Sequence, residues 1–476
     1  MYVEDTPPNV SSFIKSLRDI GYTFEIAVAD VLDNSITANS ENIKIYSAVD
    51  PDLVLCILDD GIGMDDDSLR EAMRLSTKDP DTQRDGKDLG RFGLGLKTAS
   101  FSQCRLLTVI SKTSSSQISA KQWDVDQVIK SNKWSLNSLN EDDLKNILDE
   151  ISDMSLFEEL KRQKSGTLVI WQKIDRIEDD SDSLAMHLDH LKEHLSLVFH
   201  RFIDGIKKSR KVNIELNYAQ LKGFNPFYNS NKQEKEPLSI NGKTISVQPH
   251  VMPSFRQATK EEYKKYGTSA GYSRSQGCYL YRANRLITYA TWWRIIKNQD
   301  SNQLTRIEID ISNDQDNEWG VTVTKAGYGV TPPAGIRKDL RIIFRDVTRR
   351  SRSTQTAREI RNITKEKYWK MLRKDQKNSF KINKKHPLLQ EIIDESDEEA
   401  RKALLLYLIS LEAYLPVEGI HREMINRPHD LEQKVNLDHN EVKKFIQKLI
   451  EKGLSQEDID SFIRAEGFDE EMFNNA

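Results

Sequence analysis

The sequence predicts a mixed α/β protein that ends in a helical region. Three observations predict it. Helical and strand-like periodicities alternate from Val10 to about Phe202, short strand patterns recur from Lys211 to Ala326, and the pattern turns helical after Pro332-Pro333.

A chain of 476 residues is long enough for roughly three domains of ordinary size, each with its own core. In the first, residues 1–208, Ile43 to Tyr46 and Leu53 to Leu58 read as early strands. A polar stretch at 113–165, helical near Glu141 to Leu160, reads as an insertion between strands. In the second, residues 209–334, strands are expected at Val212 to Leu216, Gly277 to Arg282 and Arg306 to Ile311. The third, residues 335–476, starts basic and becomes acidic after His386-Pro387, mostly helical, with a capping box at Ser455-Gln456-Glu457-Asp458.

Composition excludes several classes. Hydrophobic content of 37% and charged content of 30% describe a soluble globular chain. The longest apolar stretch, around Leu404 to Leu411, is too short for a membrane span, and the start, Met1 to Pro8, lacks the basic head and apolar core of a signal peptide. No membrane segment is expected, and the cytoplasm is the expected compartment. Cys56, Cys104 and Cys278 are too few and too scattered for a disulfide framework or a zinc site, so each is expected as a buried thiol. His187, His190 and His194 share one helical face, but no matching ligand set stands elsewhere and no metal is expected there. The net charge of -4 hides a division: Gly335 to Lys385 holds 18 Lys and Arg against 5 Asp and Glu. That run includes Tyr368 and Trp369, and it suits either a solvated helix or a nucleic-acid backbone.

Three patches carry the chemistry. In Asp30-Val31-Leu32-Asp33-Asn34 an acid and an amide four residues apart share a helical face, so one can activate water while the other holds a metal; Asp33 falls on another face and is expected in solvent. In Leu58-Asp59-Asp60-Gly61-Ile62-Gly63-Met64, at a strand end, a carboxylate can accept from an exocyclic amine while two glycines let a flat base approach, which suits adenine; alone, the string also reads as an acidic turn. In Gly90-Arg91-Phe92-Gly93-Leu94-Gly95-Leu96-Lys97 a glycine-rich loop meets a helix N-terminus, an anion site by geometry and dipole. A P-loop is rejected, because one extra residue separates Gly95 from the lysine and rotates it by about 100° on a helix.

With the three patches in this order the chain resembles a GHKL ATPase, the superfamily of gyrase, heat-shock chaperones, histidine kinases and MutL, whose ATP site is the Bergerat-fold α/β sandwich. Its wording, with Leu17-Arg18-x-x-Gly21-Tyr22 leading into Ala29-Asp30, is closest to prokaryotic relatives of MORC and MutL. The resemblance implies ATP and Mg²⁺. By it, Asn34 holds the metal, Asp59 reads adenine, Gly61, Gly63 and Met64 line the base, residues 90–95 form a lid over the phosphates, and Lys97 neutralises them. Thr167, in Ser165-Gly166-Thr167, supports Asp59 through water. Asp30 stands where MutL and gyrase carry the glutamate that polarises the attacking water, one methylene shorter, so slow hydrolysis is expected. The second domain resembles the transducer of gyrase and MutL, with Gln276 to Ile287 as its core strand and turn, and with Lys325, at the end of a strand from Trp319, reaching the γ-phosphate. An ATP-dependent homodimer, a clamp on DNA through 337–385, and a role in restriction or anti-phage defence with its protein partners follow from the same resemblance. The alternative is an ATP-gated scaffold that binds proteins without DNA.

Overall fold

The computed structural model describes residues 3–426 except 5, 7, 51, 76–88, 90–94, 150, 152–154, 179, 255–256, 268–270, 322–328, 357–367 and 375–376, and beyond 426 only Lys444 and Gln447. The chain forms two compact units, one holding Met1–Met252, Ser275–Asn298 and Thr305–Val347, the other the rest.

The first unit is built on two sheets. Strands β1 (Asn42–Ala48), β2 (Val54–Asp59), β3 (Cys104–Lys112), β4 (Ser119–Asp124), β5 (Asn137–Ser138), β6 (Gly166–Ile174), β7 (Asn213–Leu216) and β8 (Ala219–Gln220) form an eight-stranded sheet in the order β5-β4-β3-β6-β2-β1-β7-β8. Strand β2 lies inside it and is buried along its whole length. Its side chains alternate between two cores, as a period of two requires. Leu55 and Ile57 enter a core shared with helices α1 (Val10–Arg18), α2 (Phe24–Thr37), α4 (Gly95–Gln103) and α8 (Ser181–Val198), while Val54, Cys56 and Leu58 enter one shared with α6 (Glu141–Asp149) and α7 (Ser155–Arg162). Helix α3 (Asp66–Met73) is capped by Asp65, which accepts from the Ser68 N–H at 2.9 Å. Helices α5 (Val125–Ser131) and α9 (His200–Asp204) complete this layer.

The stretch at 113–165 supplies β4, β5 and the helices α5 to α7, so it builds the sheet and its second core. Strand β7, which the sequence pattern grouped with the strands after it, pairs in parallel with β1 through Ile43 and Ile214. Burial of Ile214 and Leu216 against the first core decides its place.

The second sheet comprises β9 (Asn231–Lys232), β10 (Glu236–Ile240), β11 (Lys243–Val251), β12 (Gly277–Arg282), β13 (Arg285–Thr291) and β14 (Thr305–Ile311), in the order β10-β11-β14-β12-β13 with β9 on β11. β12 and β13 form a tight hairpin in which Arg282 pairs with Arg285, and Ala283 and Asn284 at its tip have φ of 48° and 70°. Positive φ at both central residues is the two-residue turn that matches strand twist. Ala283 at this tip packs against the core of the first sheet. Trp319, expected at the start of a strand, instead closes a short helix Asp316–Trp319 that Gly320 ends at φ 64°. Glycine ends helices this way because the left-handed turn costs it no Cβ clash.

The basic run is helical over Arg337–Thr356 but turns to strand after it. Trp369–Lys374 and Lys377–Ile382 form an antiparallel pair, β15 and β16, with Trp369 opposite Ile382. Aromatic and β-branched residues favour pairing here over the helix that the lysines and arginines would support. The helices Pro387–Glu395, Glu398–Ala413 and Val417–Asn426 follow; the expected capping box at 455–458 lies outside the described residues. No single helix among the described residues is long and apolar enough to cross a membrane. Cys56, Cys104 and Cys278 are buried free thiols, as expected.

Candidate nucleotide site

The site forms where α2, the end of β2, the start of β6 and the start of α4 meet. Thr23 caps α2 by accepting from Ile26 N–H, and Glu25 stands in the first turn, so the helix that carries Asp30 and Asn34 starts at a defined residue.

Asp59 ends β2 directly opposite Thr167 of β6. Its carboxylate is buried and accepts from Ser35 Oγ at 2.8 Å and from Gly61 N–H at 2.9 Å. Burial pushes the Asp59 carboxyl up from its ordinary value, and the bonds from Ser35, Gly61 and Ser40 pull it part of the way back. Thr167 Oγ1 lies 2.8 Å from Ser111 Oγ, and that oxygen also accepts from Met64 N–H at 2.9 Å. The backbone after Asp59 is thereby tied to β3 and β6.

Two glycines here are required by the protein's own packing. A Cβ on Gly61 would stand 2.8 Å from Ala38 Cβ, Ala38 O and Ser40 Oγ. Gly63 has φ of +66°, and a Cβ there would lie 1.8 Å from Lys112 O. Ala38, Ser40 and Lys112 press against these two glycines and fix the loop that follows Asp59.

Asp30 and Asn34 lie on one face of α2, with Asn34 Nδ2 donating to Asp30 O at 3.1 Å and its side chain exposed. Asp30 itself is 0% exposed and accepts from Tyr22 OH at 2.9 Å. Burial first, and the Asp30 charge next, push the Tyr22 phenol up, so it remains a donor. Gly95 begins α4 with its Cβ position 3.9 Å from Asp30 Oδ2, which sets a helix N-terminus beside the acid.

Asp33 corrects an expectation. It is 0% exposed, not in solvent, because Arg285 Nε of β13 donates to it at 2.8 Å. Lys97 is also buried, and its ammonium donates to Ala72 O at 2.7 Å, tying α4 to the last turn of α3. Gly90, Arg91, Phe92, Gly93 and Leu94 of the lid, and Lys325, lie outside the described residues. Of the three histidines, His187 meets Glu25 at 3.7 Å, His190 is exposed, and burial together with the Arg285 charge holds His194 down at about 4.

Sequence reasoning missed four supporting residues. Ser35 follows Asn34 directly and could have been found by asking what satisfies a buried Asp59. Tyr22 and Arg285 sit inside quoted motifs without a role, and Ser111 carries no sequence signal at all.

Residues 22–167 match a family model described as histidine kinase-, DNA gyrase B- and HSP90-like ATPase. The matched span runs from Tyr22 to Thr167 and so takes in Asp30, Asn34, Asp59 and the lid. The match likens this span of the chain to GHKL-type ATPase domains, whose family members are ATPases or bind ATP. No curated protein matches the chain.

Proposed function

We propose that this chain binds and slowly hydrolyses ATP with Mg²⁺, and that nucleotide binding closes it as a dimeric clamp on DNA. One observation carries the nucleotide reading. Asp59 is a buried carboxylate whose partners among the described residues are hydroxyls and a backbone N–H, with no cation beside it. A buried charge so placed is costly unless a ligand donor completes it, and the adenine exocyclic amine is such a donor.

The donor set at the phosphate end fits magnesium. Asn34 commits its NH₂ to Asp30 O, which assigns the amide oxygen to the metal, and hard oxygen donors are what Mg²⁺ takes. Bound there, the ion supplies neutralisation of phosphate charge. Asp30 takes the proton of the attacking water, Tyr22 and the start of α4 hold that carboxylate in place, and Lys325 is assigned the γ-phosphate. Lys97 is assigned to the phosphates beside its bond to Ala72 O. Titration with Mg-ATP and Mg-GTP tests this reading: saturable binding with about a hundredfold preference for ATP is expected, since sites built to bond a polar edge reject its isostere. Equal affinity for both, or no binding, overturns it.

GHKL domains commonly dimerise on binding ATP, and the run from Gly335 to Lys385, with 18 Lys and Arg against 5 Asp and Glu, supports DNA as the clamped partner. Affinity for duplex DNA is expected to fall by about a thousandfold between roughly 50 and 200 mM salt if six or more phosphates are neutralised. Absence of binding with and without an ATP analogue removes the clamp. A role in anti-phage defence rests on the resemblance alone. The scaffold reading is favoured by one observation: helix Glu398–Ala413 buries no residue and exposes Leu406, Tyr407, Ile409 and Leu411. A face of that kind suits a protein partner.

A further inference from the structure

The tip of the β12–β13 hairpin brings two arginines into the nucleotide-binding domain. Arg282 grips the Asp316 carboxylate with Nε at 2.6 Å and Nη2 at 2.8 Å, and its Nη1 donates to Leu89 O at 3.0 Å, one residue before the glycine-rich segment. Arg285 donates through Nε to Asp33 at 2.8 Å, and its Nη2 stands 3.4 Å from Asp30 Oδ1. Arg285 is 2% exposed and both aspartates 0%.

We propose that Arg285 is a positioning residue for ATP hydrolysis, which orients the Asp30 carboxylate from the second sheet and uses Asp33 as its anchor. The proposal rests on the ATPase reading above and deepens it. Two carboxylates three residues apart on one buried helix repel, and a single guanidinium between them removes that cost. The fork is rigid: with Nε committed to Asp33, the direction of Nη2 is set. Tyr22 donates to Asp30 Oδ2 and Arg285 reaches Oδ1, so both carboxylate oxygens are held from outside α2. The long contact to Oδ1 orients the group without sequestering it.

Such holding answers the short reach of an aspartate. A base that stops about 1.5 Å early must be aimed, because misplacement by about 1 Å costs on the order of a hundredfold in rate. Among the described residues, Thr98 of α4 bonds Tyr22, and His194 of α8 feels the charges of Arg285, Glu25 and Asp33. His194, held down at about 4, is neutral near pH 7 and adds no charge to the cluster there. Because Arg285 belongs to the second sheet, the base is aimed only while the hairpin is docked.

The experiment compares wild type, Arg285→Lys, Arg285→Met and Asp33→Asn in ATP titration and in phosphate release from about pH 5.5 to about pH 9. All variants are expected to bind ATP within a few-fold of wild type and to lose about ten- to a hundredfold in kcat. Arg285→Lys, which keeps the charge without the fork, is expected to recover only a small part of the rate that Arg285→Met loses. In an Asp30→Asn background, Arg285→Met is expected to have no further effect on kcat. Full kcat in Arg285→Met overturns the proposal, and so does full kcat in Asp33→Asn, which keeps Arg285 and reads the same anchor if Arg285→Met does not fold. A wild type that neither binds nor hydrolyses ATP overturns the ATPase reading itself.

Discussion

An Asp59→Asn variant is expected to lose ATP affinity by about a hundredfold and yet to melt no lower than wild type. The loss follows from the contact removed: a bond to a charged acceptor is worth about 1.5 to 3 kcal/mol, and about 2.7 kcal/mol is a factor of a hundred. The stability follows from linkage. Burial raises the Asp59 carboxyl in the folded state, so the folded chain holds this proton more tightly than the unfolded one. Its contribution to stability therefore falls as pH rises from the ordinary carboxylate range through the raised value, and the cost is fully present above it. Asparagine carries no such cost. It can accept from Gly61 N–H through its oxygen, and Ser35 can turn its hydroxyl to accept from the new NH₂. Calorimetric titration beside thermal melts at several pH values checks both halves. Unchanged ATP affinity sinks the adenine role, and a melting point well below wild type sinks the account of the buried charge.

Asp30→Asn is expected to lower phosphate release by about a hundred- to ten-thousandfold, the range of a general base, with Mg-ATP affinity kept within a few-fold. Binding survives because Asp59 and Asn34 are untouched and Arg285 keeps its closer partner, Asp33, at 2.8 Å. Asparagine still accepts from Tyr22, so the fold around the site is kept. Single-turnover phosphate release and titration with a non-hydrolysable analogue separate chemistry from binding. Undiminished release removes Asp30 as the base, and lost binding makes its role structural.

Much of this site is legible in the chain itself. The i, i+4 spacing places Asp30 and Asn34 on one face of α2, and the unbroken apolar run Leu53 to Leu58 predicts the buried strand that delivers Asp59 to its end. These are local regularities, and local periodicity reports them. Glycines at 61 and 63 were also visible, but their cause was not: the atoms that forbid a side chain belong to Ala38, Ser40 and Lys112, on other elements. The basic run shows the converse failure, since composition gave its charge while pairing of Trp369 with Ile382 gave its shape.

Asp33 marks the boundary most sharply. The sequence reading put it in water; what buries it is Arg285, 252 residues later, which reaches Asp30 as well. The sequence by itself determined the order of three nucleotide motifs and the helix and strand that carry them, because those depend on neighbours a few residues apart. Only the tertiary structure decided that the hairpin of the second sheet reaches the acid on α2, because a contact between distant segments is set by how two cores pack and leaves no period in the chain.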